Sequence, residues 1–402
     1  MKILCALARY ANGDPAREPS YEYANFLPTL KRLGHGTVFF DTLDRARYAD
    51  LRQRNAAFLA LARQEQPDVL LNVPFMNDVW LETVERIGAE TPTATLAWMT
   101  DDSWRYESFS RFIAPAFRAV ATTDPAAADK YRRDGMGHVL LTQWAANADH
   151  LHPPLPAPQC KYPVSFVGAA HGDRRHWIET LRRRGIEVAC FGLGWPAGTV
   201  TQDEMMRVIR ESRICINFSS SSFSATSGRV AQIKARVFET PGAGGFLLAQ
   251  WVEGLDRWYA PGEEIAVFRD SDDLAEKITY YLSHLGERDA IARAGFERTR
   301  RDHLYDNRLA EALEFALASR GARRDQFAAG RRSPDPADAY RPCGPACRLI
   351  RRLLETAGAI VFGKQRATHF ARRVVFELAW RLQGKRAYRV EGWTGRMFPD
   401  VP

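Results

Sequence analysis

A chain of 402 residues is too long for one ordinary hydrophobic core, and 46% apolar with 26% charged residues describes globular domains rather than a disordered or fibrous chain. No apolar run is long enough to span a bilayer, and Arg9 breaks the opening apolar stretch at once, so a buried first strand is expected there rather than a leader. The six cysteines, scattered at 5, 160, 190, 215, 343 and 347, exclude a disulfide framework and point to a reducing cytoplasm.

Residues 2–8 predict a strand, residues 21–33 a helix closed by Gly34, and residues 37–41 a second strand. Helices at 56–64 and 79–87 then alternate with strands at 68–73 and 93–99. Apolar strands alternating with helices are the pattern of a parallel, doubly wound sheet, which binds ligands beyond the carboxyl ends of its strands. One such end is Met99-Thr100-Asp101-Asp102-Ser103, which puts two carboxylates at the mouth of the sheet. Asp101 and Asp102 are therefore candidate catalytic residues, as a general base or as ligands of sugar hydroxyls. They are equally good N-caps for the following helix, and the two roles are compatible. A strand at 119–123, a helix at 126–133 and a strand at 139–141 complete this half.

A proline-rich linker at 150–158 follows, and its His150 and His152 lack a third metal ligand. Residues 162–167 predict a strand, followed by a small-residue loop and a helix. Gly168 allows a backbone to approach a phosphate closely, with Arg174 near the helix start. After a strand at 186–191, Thr201-x-x-Glu204 is a capping box for the helix to Arg213, and a strand at 214–216 leads into a hydroxyl-rich loop that contains Ser219. A short helix from Ile233, stopped by Pro241 and Gly242, then turns through Gly244 into the apolar strand at 246–248. Hydroxyls, free N–H groups at a helix start and the cations Lys234 and Arg236 together suit a diphosphate. Arg236 and Glu239 share one helix face at i,i+3, which is also the spacing of an ordinary surface ion pair, whereas Lys234 and Arg236 point apart.

A strand at 265–268 and helices at 271–282, 288–301 and 309–318 close this half, and residues 321–345 read as an aperiodic linker. The net charge of +8 belongs to the end of the chain: from Arg320 onward 18 Lys and Arg meet 7 Asp and Glu, a net of +11 that leaves −3 for the first 319 residues. There, helices at 347–361 and 367–382 carry Leu349, Ile350, Leu353 and Leu354, then Phe370, Val374, Leu378 and Leu382, among many arginines. Such helices suit docking on the body, an acidic partner or an anionic membrane surface, with the first two favoured. Cys343 and Cys347 have no further metal-ligand partners in the sequence, and nucleic-acid binding is not expected.

Several of these strings resemble, in order, the C-terminal half of group 1 glycosyltransferases related to the spore maturation protein CgeB. They are Ser165-Phe166-Val167-Gly168, Lys234-x-Arg236-x-Phe238-Glu239, Gly244-Gly245-Phe246-Leu247-Leu248, Tyr259-Ala260-Pro261-Gly262-Glu263-Glu264-Ile265, and Tyr280-Tyr281-Leu282 with Arg288, Ile291-Ala292 and Gly295. The likeness covers about residues 162–309, and reaches the first half more loosely through Thr100-Asp101-Asp102 and Thr122-Thr123-Asp124-Pro125. It implies a GT-B architecture: two facing Rossmann-like domains of doubly wound parallel sheet, here with a basic helical C-terminal tail. The implied organisation is an acceptor-side domain at 1–152, a linker at 153–162, a nucleotide-sugar domain at 163–320, a linker at 321–345 and the tail at 346–402.

The implied activity is transfer of a sugar, in the hexosyltransferase class, from a nucleotide-sugar donor to an acceptor hydroxyl of a glycan, protein or small molecule. By resemblance Glu239 binds the donor's ribose and Lys234 or Arg236 neutralises the departing diphosphate, so no cofactor and no essential metal are expected. Gly168, Arg174, Ser219 and Gly244 complete the donor-side candidates. The sequence departs from the retaining pattern at Ala231, where a first glutamate would stand with seven residues between it and Glu239, which leaves retention against inversion open. A non-catalytic nucleotide- or glycan-binding protein, and an epimerase or phosphorylase, are the alternative readings. The expected location is cytoplasmic, at most peripheral to the inner face of the membrane.

Overall fold

Continuous apolar strands become two parallel sheets in the computed structural model, which describes residues 1–224, 228–321 and 335–399. The chain divides into two units, Met1–Thr142 with Glu311–Pro402, and Gln143–Ala310. Both differ from the boundaries read in the sequence. Residues 143–162 fold with the second unit because their backbone is bonded into it: Ala146 exchanges hydrogen bonds with His303 and Tyr305, and His152 N–H donates to Gly242.

The first unit is built on β1 (Lys2–Leu7), β2 (Gly36–Asp41), β3 (Val69–Asn72), β4 (Ala94–Met99), β5 (Ala119–Thr122) and β6 (Val139–Leu141), in the order β2-β1-β3-β4-β5-β6. All five pairings are parallel. Helices cover both faces, so β3, β4 and β5 are buried at every position. Their ends are set by local chemistry. Ser20, Asp50 and Asp124 accept N3 backbone N–H groups at the starts of Tyr21–Arg32, Leu51–Glu65 and Pro125–Arg133.

The second unit pairs β7 (Tyr162–Val167), β8 (Ala189–Phe191), β9 (Ser212–Asn217), β12 (Leu247–Gln250) and β13 (Ala266–Phe268) in the order β13-β12-β9-β7-β8, again all parallel. The capping box Thr201/Glu204 forms as read. Arg288, fully buried, donates to the carbonyls of Leu155, Ser212 and Arg213, tying the former linker to the edge of β9. Gly295 is required by packing: a Cβ there would collide with the Glu264 carbonyl oxygen. Two motif residues of the family resemblance are thus scaffold.

Three local expectations change. The hydroxyl-rich loop folds into an antiparallel hairpin, β10 (Ser220–Ser224) with β11 (Gly228–Ala231), while its residues 225–227 lie outside the described residues. Pro241 lies inside the helix Arg236–Gly242 rather than before its end, and the chain leaves through Gly244 at φ 81°. Cys343 and Cys347 are joined as a disulfide, while the other four cysteines stay free. Most of the expected linker, residues 322–334, lies outside the described residues.

The basic tail is part of the first unit. The helix Lys364–Gln383 buries Ala371, Val375, Phe376 and Ala379, and Phe376, Ala379, Ala387 and Tyr388 join the core cluster of Ile113, Phe117 and Tyr131. Full burial of a Val or Phe side chain contributes about 1.5–3 kcal/mol, enough to hold a helix whose sequence reads as amphipathic. The helix Pro345–Phe362 packs against it as the other arm of a hairpin.

Candidate functional site

In the second unit the strand order reverses between β7 and β9, the place at which such sheets bind ligands. β7 runs into Gly168. A Cβ there would lie 2.9 Å from the Phe166 ring and 3.4 Å from Arg174 Nη1, so only glycine fits. Its N–H donates to Phe191 and its carbonyl accepts from the Trp195 indole, both at 2.8 Å, which fixes the loop that delivers Arg174. Arg174 begins the helix Arg174–Arg183; it is buried, its Nη1 donates to the Ala169 carbonyl at 2.9 Å, and its guanidinium lies 5.4 Å over Phe166. Burial lowers its pKa; Asp173 opposes the shift and the neighbouring charge of Arg236 adds to it.

Arg236 opens its helix and pairs with Glu239 one turn on. This is no surface pair, because the Glu239 side chain is only 2% exposed. One carboxylate oxygen takes the guanidinium. The other, Oε1, has no hydrogen-bond partner, and the same is true of Arg174 Nε and of Asn217 Nδ2 at the end of β9. A buried polar group left in that state costs about 1–3 kcal/mol, so these three, beyond the carboxyl ends of β7 and β9, would each be stabilised by a polar partner. Beneath the helix, Val237 and Phe238 pack with Leu247, Leu255 and Tyr259. His303 sits edge-on to Phe238 and Tyr259, and burial pushes its pKa down to about 4, which makes it a neutral part of this support.

The other donor-side candidates fare differently. Ser219 is buried, but its N–H and hydroxyl both donate to Gln250 Oε1 at 3.1 Å. Lys234 is half-buried in the turn before the helix. The N–H groups of Val237, Phe238 and Glu239 donate to the carbonyls of Lys234 and Ala235, so the cradle expected from these amides does not form and the arginines remain the cationic element. Gly244 is not at the site: it lies past the other end of the helix, where a Cβ would meet the His152 carbonyl oxygen at 2.5 Å. Ala231 ends β11 and is exposed. Asn217 was legible as the polar residue that ends the apolar run Ile214-Cys215-Ile216, but it reads equally as the start of a loop.

In the first unit the strand order reverses between β1 and β3. At their carboxyl ends lies a cavity of about 210 Å³, lined among others by Tyr10, Ser20, Glu22, Asp101 and Arg105. The two aspartates part company here. Asp101 lines the cavity, and its side chain makes no capping bond although it stands at the N-cap position. Asp102 points into the core, accepting from Thr122 Oγ1 at 2.6 Å and from the Tyr131 hydroxyl at 3.0 Å. Burial raises its pKa to about 6. It is a buried strut, not a group open to substrate.

Glu22 is the acidic residue that sequence reasoning missed. It stands in the first turn of Tyr21–Arg32, where a glutamate reads simply as a partner for the helix dipole. Loss of hydration in the cavity pushes its pKa up to about 7, its own backbone N–H opposes this, and the charge of Asp101 raises it further. Arg105 closes the wall by donating to the Phe75 carbonyl, with its guanidinium 4.0 Å over Phe109. A carboxylate that titrates near neutrality beside a second carboxylate is suited to take a proton from a hydroxyl.

Comparison with known proteins bears on the fold and on the second unit's sequence. The family model described as "Glycosyl transferase-like" matches residues 174–314, which include Arg174, Asn217, Arg236 and Glu239. Sucrose-phosphate synthase of Thermosynechococcus elongatus superposes with a TM-score of 0.53 at 14% identity, over 82% of this chain and 100% of that one. These superpositions decide the architecture. The fold is GT-B. A second GT-B structure, a glycosyltransferase of Rickettsia africae, gives a TM-score of 0.55 at 12% identity over 79% of this chain and 98% of that chain. A third, Anabaena Alr3699/HepE in complex with UDP and glucose, gives 0.53 at 12% identity over 78% and 99%. No curated protein matches by sequence. The family match and the GT-B fold together support a glycosyltransferase. Among the described residues no helix is long and apolar enough to cross a membrane.

Proposed function

We propose that this chain is a glycosyltransferase of the CgeB-related branch that transfers a hexose from a nucleotide-sugar donor to an acceptor hydroxyl. The observation that carries the reading is the buried Glu239, held by Arg236 through one oxygen and unpartnered at the other. A ribose diol offers the missing donors to Oε1, and a diphosphate offers the acceptors that Arg174 Nε and Asn217 Nδ2 lack. The two arginines then stabilise the charge that develops on the departing diphosphate, without calling on a metal. In the first unit Glu22 takes the proton of the acceptor hydroxyl, its pKa held high chiefly by burial and further by the charge of Asp101, which binds the incoming group. The acceptor oxygen bonds to the anomeric carbon as the bond to the diphosphate breaks, and the nucleoside diphosphate leaves. With no carboxylate at position 231, inversion is the stereochemical outcome we assign.

The test is a thermal-shift panel of UDP, GDP, dTDP, ADP and CMP with their common sugars, on wild type and Glu239→Ala, with EDTA and with Mg²⁺. The Anabaena structure holds UDP and glucose, which makes UDP-hexoses the first donors to try. Stabilisation by one nucleotide, lost in the variant and indifferent to EDTA, supports the reading. No stabilisation of folded protein by any of them overturns it. The lack of a carboxylate at Ala231 favours one second reading, a nucleotide- or glycan-binding protein without turnover. Slow hydrolysis of the stabilising nucleotide sugar excludes that alternative.

A further inference from the structure

The docked tail leaves one of its helices only half used. In Pro345–Phe362, Leu349, Ile350, Leu353, Ile360 and Val361 fall on one face at i, i+1, i+4, i+11 and i+12, and are 51–81% exposed. This outward face is fixed by the opposite one. Arg351 donates to the Met397 carbonyl at 2.8 Å and lies 4.8 Å over Phe398, while Leu354 packs on the cluster of Ala371, Val375 and Met397. Thr368 donates to Glu355, and Gly358 lets the second arm come so near that a Cβ would lie 2.8 Å from Phe370. The helix cannot turn its leucines inward without breaking these contacts. At the bend Phe362 is 49% exposed, and on the second arm Leu378 and Leu382 are 50% and 69% exposed.

Charge decides between kinds of partner. The hairpin Pro345–Gln383 carries eight Lys and Arg against two Glu, and Arg348, Arg352, Lys364 and Arg366 are exposed. Protein interfaces deplete charge and concentrate aromatic side chains at their centres, whereas an aliphatic stripe bordered by arginine is the composition of a helix lying in a lipid interface. Neither arm is long and apolar enough to cross the bilayer. We infer that this hairpin seats the protein on an anionic phospholipid surface, with the aliphatic stripe of Pro345–Phe362 sunk beneath the headgroups and Arg348, Arg352, Lys364 and Arg366 among the phosphates. An enzyme held this way works on acceptors at the membrane face, and the inference goes beyond the sugar-transfer reading without depending on it.

Flotation of the full chain with vesicles tests it, using phosphatidylcholine alone and phosphatidylcholine mixed with phosphatidylglycerol, at low and high salt. The variants are Leu353→Asp with Ile360→Asp, and Arg348→Glu with Arg352→Glu. All four side chains are exposed, so unchanged melting temperatures and an unchanged nucleotide-induced shift certify intact protein. The expected result is flotation with the mixed vesicles only, weakened by salt, and at least roughly tenfold weaker binding in either variant. Absence of flotation with phosphatidylglycerol overturns the proposal, whatever the nucleotide result. So does a wild-type dimer in solution that Leu353→Asp dissociates, or binding of an acidic peptide that leaves vesicle affinity unmatched.

Discussion

The two sheets reverse their strand order at equivalent places, yet the groups they gather there are opposite in kind. Beyond β7 and β9 stand two arginines around one buried carboxylate, and beyond β1 and β3 stand two carboxylates with one arginine in the wall. The first set favours negative charge arriving on a ligand, while the second raises a carboxyl pKa until it can accept a proton near neutrality. The two units share one architecture, and what differs is which side chains follow the strand ends.

The sharpest way to break this contrast is to neutralise each set in turn. Glu22→Gln should lower kcat by roughly 10²–10⁴-fold, the usual contribution of a general base, while nucleotide affinity measured by calorimetry stays at the wild-type value. Wild-type kcat should climb with pH through about 7, the pKa of the Glu22 carboxyl, and the variant should lose that limb. A parallel loss of nucleotide affinity would mean that Glu22 belongs to the donor site instead. Arg236→Ala attacks the other set. It leaves the buried Glu239 carboxylate unpaired, and roughly ten- to a hundredfold weaker nucleotide binding is expected, from the about 1.5–3 kcal/mol of a charged hydrogen bond.

Much of this was legible in the sequence because strand ends are legible. Apolar runs that alternate with helices give the parallel sheets, the residues that follow two of them give Asp101 and Gly168, and the short helix before the strand at 246–248 gives Arg236 and Glu239 as residues to watch. What escaped reading depends on side-chain direction. Asp101 and Asp102 are neighbours in sequence, yet one lines a cavity and the other bonds Thr122 and Tyr131 in the core. Glu22 is distant from both in sequence and is brought to Asp101 only by the β1-β3-β4 order. Gly244 shows the converse, since a glycine demanded by close packing on His152 looks in sequence like one demanded by a phosphate. The hairpin of β10 and β11 was hidden because serines that suit an anion-binding loop also pair as strands.

The aspartate pair permits a finer test of the same contrast. Asp102→Ala removes the acceptor of two buried hydroxyls and should cost about 1–3 kcal/mol of stability in urea unfolding, whereas Asp101→Asn should leave stability within about 0.5 kcal/mol and reduce transfer. Equal destabilisation by both would make the cavity a structural feature and remove Asp101 from the acceptor side.

The smallest effect expected is also the most specific to Glu22. Its carboxyl has an ordinary value of 4.5 and titrates near 7 in the folded chain, so between those values the native state holds a proton that the unfolded chain has released. Stability therefore falls as pH rises across that window, because the unfolded chain ionises freely whereas ionising the folded one leaves a charge in a poorly hydrated cavity. Asp102, raised in the same direction, contributes a parallel fall at lower pH and is common to wild type and variant. Subtracting the melting curves of Glu22→Gln from those of wild type isolates the Glu22 part. The two should coincide below about pH 4.5, and the variant should be the more stable above pH 7. If the variant is less stable at every pH, Glu22 is held charged by partners it needs, and the carboxylate cavity is then a salt-bridge site rather than the place where a hydroxyl gives up its proton.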